Sequence, residues 1–521
     1  MSADAANAQT AGADRKIVLA VVVSMAGALF CQASYNYVIR PIVEGLGADE
    51  TQSALLRQAP GIGGLLAIFV AGVLVMWFGP RRCLVGAGVL TLVGYLIALL
   101  APSMPFLTSG LVLAYVGKSA VVVIVLSLLS SRIEGTAARA SAFATVAMVS
   151  PAVSMLLPPV ASYLVDNVGW RAVAALWLLG GILVIAAAVF LVPRDGESTG
   201  KRGELWTPVL AGVVLVGLTQ LVRLVPTEGL SDVSTLAVLA LTVAASLALL
   251  ILMRRLSNPS LSFQVLRHGG FLIFLVVILL MPFSNMWFYG TIGAQYIYGL
   301  SAFTVAMIFV PIQLAGVVGA RLGGVLVKAR GLTFTGTAML LGVAAMSFLC
   351  VVQSTTIPII VPVIILMIYG ACANAAQGTV TNSVMSMAPP GGEGDAAAFR
   401  SAASSLGSSL GALFLSAIVF TTISTSIADQ SNAAGISPQE ADRIAESMRE
   451  GATSEEVSSQ YSVPLDTVDQ LEGYQRQGAV EGYWAQGVGS GIVLTLAAVI
   501  FYVGRRRVER HEARSPVPTA T

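Results

Sequence analysis

Two short segments of the chain share one glycine spacing between long apolar stretches. In the first, GVLVMWFGPRR, Gly72 and Gly79 stand seven residues apart, and in the second, GVLVKARG, Gly324 and Gly331 keep that spacing. The second pair follows the first by 252 residues (324 − 72). A glycine-bounded tight turn that is used twice between apolar helices indicates two related halves, so the fold must contain an internal repeat.

The composition excludes a soluble fold for these halves. Hydrophobic residues make up 56% of the chain and charged residues 11%, whereas soluble proteins average about 45–50% and about 25%. A helix crosses the hydrocarbon core with about 20 apolar residues. This length predicts an all-α polytopic membrane protein with fourteen transmembrane helices, at about 17–38, 55–78, 83–103, 106–131, 141–163, 171–192, 206–224, 233–253, 270–290, 302–326, 333–353, 357–379, 397–421 and 486–504.

Basic residues predict the orientation of these helices. Lys and Arg are concentrated in alternate connections and in the C-terminal tail, and such residues favour the cytoplasmic side. Both termini are therefore expected in the cytoplasm, with the protein in the plasma membrane, or in the inner membrane of a double-membraned bacterium. The turn copies lie eight spans apart rather than six, which places two extra helices between two six-helix bundles. The expected order is a cytoplasmic tail (1–16), the first bundle (17–192), a cytoplasmic linker (193–205), the extra helices (206–253), the second bundle (270–504) and a cytoplasmic tail (505–521).

One connection of the second bundle differs from the others. Residues 422–485 carry eleven acidic residues and three arginines, on the side opposite the basic loops. Ser437 to Glu440 form a capping box with proline at the first helical position. We expect a small helical cap on the extracytoplasmic face. Its acidity is typical of a solvated surface, although a cation-attracting vestibule or a docking lid has the same composition.

Several further segments resemble one family of transporters. They are PPVAS (158–162), DNVGWRAVAALWL (166–178), SNPSLSFQVLRHGGF (257–271) and QYIYGLSAFTVAMIFVP (295–311). Together with the repeated turn, they resemble the major facilitator superfamily, and in particular its fourteen-spanner drug:proton antiporter branch. The resemblance implies two six-helix bundles around a midplane cavity that opens alternately to each side. It also implies a group of gating residues, namely Gly72, Gly79, Arg81, Arg82, Pro158, Gly324, Lys328 and Gly331.

The chain departs from this branch where the branch carries charge. The acidic residue of the family turn is replaced by Met76 in the first copy and by Lys328 in the second. The acidic residue of the first span would fall at Gln32, and the basic residue of the fourth-span motif at Leu113. All 27 acidic residues fall in termini or loops of the predicted topology. Because a proton-coupled carrier needs a titrating group in its cavity, carboxylate-coupled antiport is disfavoured.

Lys118 is the charge predicted closest to the bilayer centre. A central lysine costs about 2.5–3.5 kcal/mol on insertion scales and marks a functional site by default. Lys118 is expected to serve as a counter-charge for an anionic substrate or as the group that titrates. A lysine that joins helices through a buried polar neighbour would occupy the same position.

Polar residues at helical spacing give the other candidates for the substrate pathway. Such residues turn inward in lipid, where interhelical hydrogen bonding explains them almost as well as substrate contact. The predicted pathway residues besides Lys118 are Gln32, Tyr35, Asn36, Gln58, Asn285, Tyr289, Asn374 and Gln377. Ala403, Gly407 and Gly411 recur every four residues and predict close helix packing.

These features predict a secondary active transporter that works by alternating access and exports small amphipathic or drug-like compounds. The alternative is an organic-anion carrier, uniporter or exchanger that uses Lys118 in place of a proton-coupled carboxylate. A third interpretation is a membrane sensor or docking protein that transports nothing. No nucleotide-binding loop, metal-ligand spacing or catalytic triad is present in the sequence, so we expect no enzyme activity, cofactor or metal. The expected partners are the lipid bilayer, a small-molecule substrate and a coupling ion, without nucleic acid, and the protein is expected to be monomeric.

Overall fold

The apolar stretches form helices, which satisfy every backbone N–H and C=O within one segment where lipid offers no partner. In a computed structural model, the described residues are 3–47, 50–133, 135–194, 203–256, 259–267, 270–284, 297–298, 300, 302–352, 354, 356–389, 391–433, 437, 443, 458–460 and 464–514. They contain helices and no β-strand. The helices are α1 (Ala3–Ser34), α2 (Ile39–Leu46), α3 (Glu50–Phe78), α4 (Pro80–Leu99), α5 (Met104–Arg132), α6 (Thr136–Asn167), α7 (Trp170–Phe190), α8 (Trp206–Glu228), α9 (Val233–Arg255), α10 (Phe271–Leu280), α11 (Ala302–Leu349), α12 (Ile360–Met385), α13 (Glu393–Ala433) and α14 (Leu465–Arg514).

The predicted all-α membrane fold is confirmed. Within the described residues, twelve helical stretches are long and apolar enough to cross a membrane. One of them, Met307–Val352, covers two predicted spans, because α11 contains a turn at Gly331. The shorter apolar helix Phe271–Ser284 lies at the predicted ninth span, whose remaining residues are outside the described part. The count of fourteen agrees with this arrangement and stays a prediction.

The two copies of the repeated turn have the same backbone conformation. Gly79 precedes α4 with φ 82° and ψ 159°, and Gly331 divides α11 with φ 83° and ψ 170°. Only glycine adopts such positive φ values without strain. The sequence repeat is therefore also a structural repeat. We call the end of the helix bundle that carries Gly79 and Gly331 the turn side.

Glycines bring α4 and α5 into backbone contact within the first half. A Cβ atom built on Gly94 would overlap the backbone nitrogen of Ala114, and one on Gly110 would lie 2.7 Å from the carbonyl oxygen of Gly94. Such close approach is how helices associate in lipid, where no hydrophobic effect drives them together. The backbone of α4 therefore rests directly on that of α5.

We expect the Gly94→Ile variant to be strongly destabilised, because a branched side chain cannot enter this contact. Overpacking costs about 1–3 kcal/mol where neighbours can move, and here the neighbour is backbone. Thermal unfolding of the purified protein in detergent would measure the loss. Gly86→Ile is the matched control on the same helix, since a Cβ atom there meets nothing within 4 Å. Equal melting temperatures for the two variants would contradict the predicted contact.

Helices α8 and α9 stand where the two extra helices are predicted, and α8 packs on α3 and on α13. A Cβ atom on Gly212 of α8 would lie 2.8 Å from the carbonyl oxygen of Leu66 on α3. The outer helix, α9, packs against α8 and exposes leucines such as Leu241 and Leu247. The extra helices therefore enlarge the lipid-facing surface, and their described residues do not line the cavity described below.

The ends of the predicted outer segment 422–485 continue the membrane helices. Helix α13 extends to Ala433, and α14 already begins at Leu465. The predicted capping-box helix lies outside the described residues apart from Ser437 and Arg443. At the other end of the chain, α1 begins at Ala3, so the described part of the predicted tail 1–16 is helical.

Candidate functional site

A cavity of about 590 Å³ lies between the two halves of the molecule. Its walls come from α1, α5 and α6 of the first half, and from Met281–Ser284, α11, α12 and α13 of the second. Both polar and apolar side chains line it. Four predicted pathway residues line it together, namely Gln32, Lys118, Asn374 and Gln377.

Lys118 occupies the middle of its helix and points into this cavity. It is fourteen residues from both ends of α5, or about 21 Å at the helical rise. Its Nζ donates a hydrogen bond to Oε1 of Gln32 at 2.6 Å, and it lies 5.2 Å from the ring centroid of Tyr115. The bond to Gln32 joins α5 to α1. Because an ammonium group carries three donors, this single hydrogen bond leaves part of its capacity to the cavity.

Tyr35, a predicted pathway residue, is not among the described residues that line the cavity, and its role in the pathway stays a prediction. Helix α1 ends at Ser34, and Tyr35–Tyr37 form a 3₁₀ turn. Tyr35 contacts residues that do not line the cavity. Its hydroxyl donates to the carbonyl oxygen of Leu56 at 2.7 Å, and its ring lies 6.3 Å from that of Trp177.

Four other predicted pathway residues cannot be placed on the wall. Asn285 and Tyr289, and the side chains of Asn36 and Gln58, lie outside the described part of the structure. Asn374 lines the cavity but donates to the carbonyl oxygen of Gly370 in its own helix at 2.9 Å. The roles of these residues in the pathway stay predictions.

Arg400 lines the cavity, although it was not among the predicted pathway residues. Helix α13 begins at Glu393, so Arg400 lies two turns inside the helix, where it is 9% exposed. Its Nη2 donates to Oγ1 of Thr381 at 3.1 Å, and its Nε has no hydrogen-bond partner. The recurrence of Arg400, Ser404 and Ser408 every four residues is the sequence signal that could have identified this face, and all three line the cavity.

The cavity wall is positively charged. Its described residues include Lys118 and Arg400 and contain no Asp or Glu. Asp395, which was assigned to a loop, is instead buried in the first turn of α13 and accepts a hydrogen bond from the backbone N–H of Ser262 at 3.1 Å. Five residues separate it from Arg400, which turns it about 140° away around the helix. Among the described residues, no His, Cys, Asp or Glu cluster could hold a metal ion.

Glycines of the predicted gating turns form the contacts between the halves at the turn side. A Cβ atom on Gly72 of α3 would lie 2.7 Å from the carbonyl oxygen of Gly394 on α13. In the second copy, a Cβ atom on Gly324 of α11 would lie 2.7 Å from Cβ of Ala144 on α6. Each first glycine therefore contacts the opposite half. These contacts close the cavity at the turn side.

Arg81, Arg82 and Lys328 lie at this end of the bundle, whereas Pro158 is 22 residues (158 − 136) into α6. Arg81 donates from Nη2 to the carbonyl oxygen of Val189 at 2.7 Å, which joins the start of α4 to the end of α7. Arg82 and Lys328 are exposed, and Pro158 lies inside α6. Their gating roles stay predictions.

The predicted close packing of α13 is confirmed. A Cβ atom on Gly407 would overlap the carbonyl oxygen of Leu279, and one on Gly411 would lie 2.6 Å from that of Pro282. Ala403 is buried on the same helix. These contacts hold α13 against α10 and against the 3₁₀ turn Met281–Ser284 that follows it, while the face with Arg400 turns toward the cavity.

A family model agrees with this architecture. The model of the Major Facilitator Superfamily matches residues 19–412, which is well over half of the chain. The chain belongs to the Major Facilitator Superfamily. The resemblance found in the repeated turn and in the loop segments is thereby confirmed, and the protein is a membrane transporter of this family.

Three relatives carry names that refer to drug resistance or to multidrug transport. The multidrug resistance protein Stp of Mycobacterium tuberculosis (strain CDC 1551 / Oshkosh) is 25% identical over 394 residues, covering 73% of this chain and 71% of Stp. The major facilitator superfamily multidrug transporter mfsC of Aspergillus fumigatus is 26% identical over 310 residues, covering 58% and 59%. The tetracenomycin C resistance and export protein of Streptomyces glaucescens is 24% identical over 376 residues, covering 70% and 68%.

Solved structures of the superfamily share the fold at low sequence identity. The human organic anion transporter MFSD10 (TETRAN) aligns with a TM-score of 0.59 at 12% identity, over 94% of this chain and 99% of that one. The proton:xylose symporter XylE aligns with a TM-score of 0.60 at 14% identity, over 95% and 96%. At these identities the likeness establishes the fold.

Proposed function

We propose that the protein is a secondary active transporter that exports small amphipathic compounds by alternating access. The observation that carries this proposal is the cavity shared by both halves, with Lys118 at mid-depth and glycine contacts closing one end. In alternating access the two halves rock around a central site. Contacts such as Gly72 with Gly394 would then separate when the turn side opens.

The cavity suits an amphipathic substrate. Its volume of about 590 Å³ falls within the range of about 300–1,000 Å³ typical of small-molecule sites. Apolar side chains, among them Leu29, Phe143, Phe309 and Leu366, share the wall with the polar groups. The names of the relatives, which refer to drug resistance and export, support export as the direction.

The turn side is proposed to face the cytoplasm. Arg82, Arg132, Lys328 and Arg330 are exposed near this end, and basic residues favour the cytoplasmic side. Both termini would then be cytoplasmic, as the sequence predicts. The closed glycine contacts would correspond to an outward-facing state.

Flux measurements in proteoliposomes test this function. We expect wild-type protein to move an amphipathic fluorophore, either cationic ethidium or anionic carboxyfluorescein, faster than protein-free liposomes, with saturation as the concentration rises. Running each assay with and without an imposed pH gradient separates coupled from uncoupled transport. Because no carboxylate lines the described cavity, we expect flux without the gradient. Absence of protein-dependent flux for both fluorophores would contradict the proposal and favour the sensor interpretation.

A further inference from the structure

Of the two cationic side chains that line the described cavity, Arg400 is the closer to its closed end. It lies seven residues after Glu393, or about 10 Å along the helix. Lys118 lies about 21 Å from Arg132, the end of its helix. Arg132 and Glu393 line the same surface depression at the turn side, so both distances start from one end of the bundle. Arg400 therefore lies about 10 Å deeper toward the closed end than Lys118.

The guanidinium of Arg400 has donors that the protein does not use. Of its five N–H groups, one is bound by Oγ1 of Thr381, and Nε, which is buried, has no partner. A buried charge without a counter-charge is strongly unfavourable, so such groups are paired or bind an ion. The side chain is nine-tenths buried yet lines the cavity.

No carboxylate in the described part of the chain neutralises Arg400. No Asp or Glu oxygen in those residues lies within ion-pair distance of its guanidinium, and none lines the cavity. Asp395 belongs to the same helix but lies about 140° around it and accepts its hydrogen bond from Ser262. The missing counter-charge would therefore come from a molecule in the cavity.

We propose that Arg400 binds the anionic group of an amphipathic substrate at the closed end of the cavity. The hydroxyl groups of Thr381 and Ser404, which line the cavity beside it, would complete this site as donors. A planar guanidinium suits a carboxylate, sulfonate or phosphate, because it presents parallel N–H groups. The apolar body of the substrate would lie against Phe143 and Leu126, in the direction of Lys118. This assignment rests on the proposed function only in taking the cavity to be the substrate site.

Equilibrium binding to the purified full-length protein in lipid nanodiscs tests this site without requiring transport. The probes are three compounds with one ring system and different charge: anionic 1-naphthylacetate, neutral 1-naphthylacetamide and cationic 1-naphthylmethylamine. We expect wild-type protein to bind the anion about tenfold or more tightly than the amide, since a charged hydrogen bond contributes about a factor of ten or more. Arg400→Gln should remove this preference and leave the affinity for the amide unchanged.

Two further variants keep the result interpretable. Arg400→Lys retains the charge but loses the planar group, so it should keep part of the preference even if Arg400→Gln folds poorly. Arg330→Gln removes an exposed arginine outside the cavity and should behave like the wild type. Equal binding of anion and amide by the wild type, or an unchanged preference in Arg400→Gln, would overturn the assignment.

Flux separates a failure of this site from a failure of the proposed function. Arg400-dependent binding of the anion without flux of any probe would support the anion site and contradict transport. If the wild type and Arg400→Gln transported the amide at equal rates and neither bound the anion more tightly than the amide, transport would be supported and the anion site overturned.

Discussion

The Gly72→Leu variant is expected to fold and insert but to lose transport, with flux falling to the level of protein-free liposomes. The cause is the contact between the halves at the turn side. A Cβ atom at position 72 would lie 2.7 Å from the carbonyl oxygen of Gly394 and 3.1 Å from Cβ of Ala398, and leucine adds three more carbons. Because the obstruction is backbone, α3 and α13 must separate. The closed state of the turn side then becomes inaccessible, and alternating access stops.

A distance measurement would show this separation directly. Spin labels on Arg132→Cys and Arg330→Cys, in a background without the four native cysteines, report on the two halves at the turn side. We expect Gly72→Leu to move their distance distribution toward longer values. Gly324→Leu should act in the same way from the second half, because a Cβ atom there meets Cβ of Ala144 at 2.7 Å.

The matched control is Gly61→Leu on the same helix. A Cβ atom at Gly61 meets nothing within 4 Å, so this variant should keep both flux and label distance. Wild-type flux in Gly72→Leu would contradict the role assigned to the turn-side contact. If Gly61→Leu lost as much flux as Gly72→Leu, any larger side chain on α3 would be harmful, and the turn-side contact would not be the cause.

The sequence was sufficient for the all-α membrane fold and for the repeated turn, because the bilayer imposes strong rules on a chain that spans it. Apolar length specifies helices that span lipid, and positive φ at Gly79 and Gly331 requires glycine. The repeat of 252 residues therefore predicted both the turns and the two halves. Lys118 was also identifiable, because a charge at mid-depth stands out in an apolar stretch.

The errors at the site have local physical causes. The thirteenth span was begun at 397, which left Arg400 near a span end, where a basic residue is taken as a sign of orientation and not of a cavity wall. The helix begins at Glu393 because protein surrounds its first turns, where Asp395 and Arg400 are both buried. Periodicity also cannot show that the Tyr35 hydroxyl donates to the carbonyl oxygen of Leu56, outside the described cavity wall. The sequence of one helix does not show which of its charged side chains face a cavity, because that depends on how the neighbouring helices pack around it.

Replacing Lys118 with methionine is expected to bring the flux of an amphipathic anion close to background without destabilising the fold. Methionine has a similar length and removes the penalty of about 2.5–3.5 kcal/mol for a lysine at the bilayer centre. The substitution removes the ammonium group that donates to Oε1 of Gln32. The Gln32 side chain is exposed in the cavity, where a water molecule can donate in its place. The melting temperature should therefore stay equal or rise. The positive charge at mid-depth disappears, and with it the attraction that draws an anion from either side.

Two measurements on the same preparation decide the role of Lys118. Thermal unfolding reports the fold, and carboxyfluorescein flux in proteoliposomes reports transport, with Lys16→Met as the control for loss of an exposed lysine. Low flux with an unchanged melting temperature would support a substrate-facing charge. Unchanged flux would contradict it. A fall of several degrees in the melting temperature would instead assign Lys118 to the joining of α1 and α5, because its hydrogen bond to Gln32 at 2.6 Å links these helices.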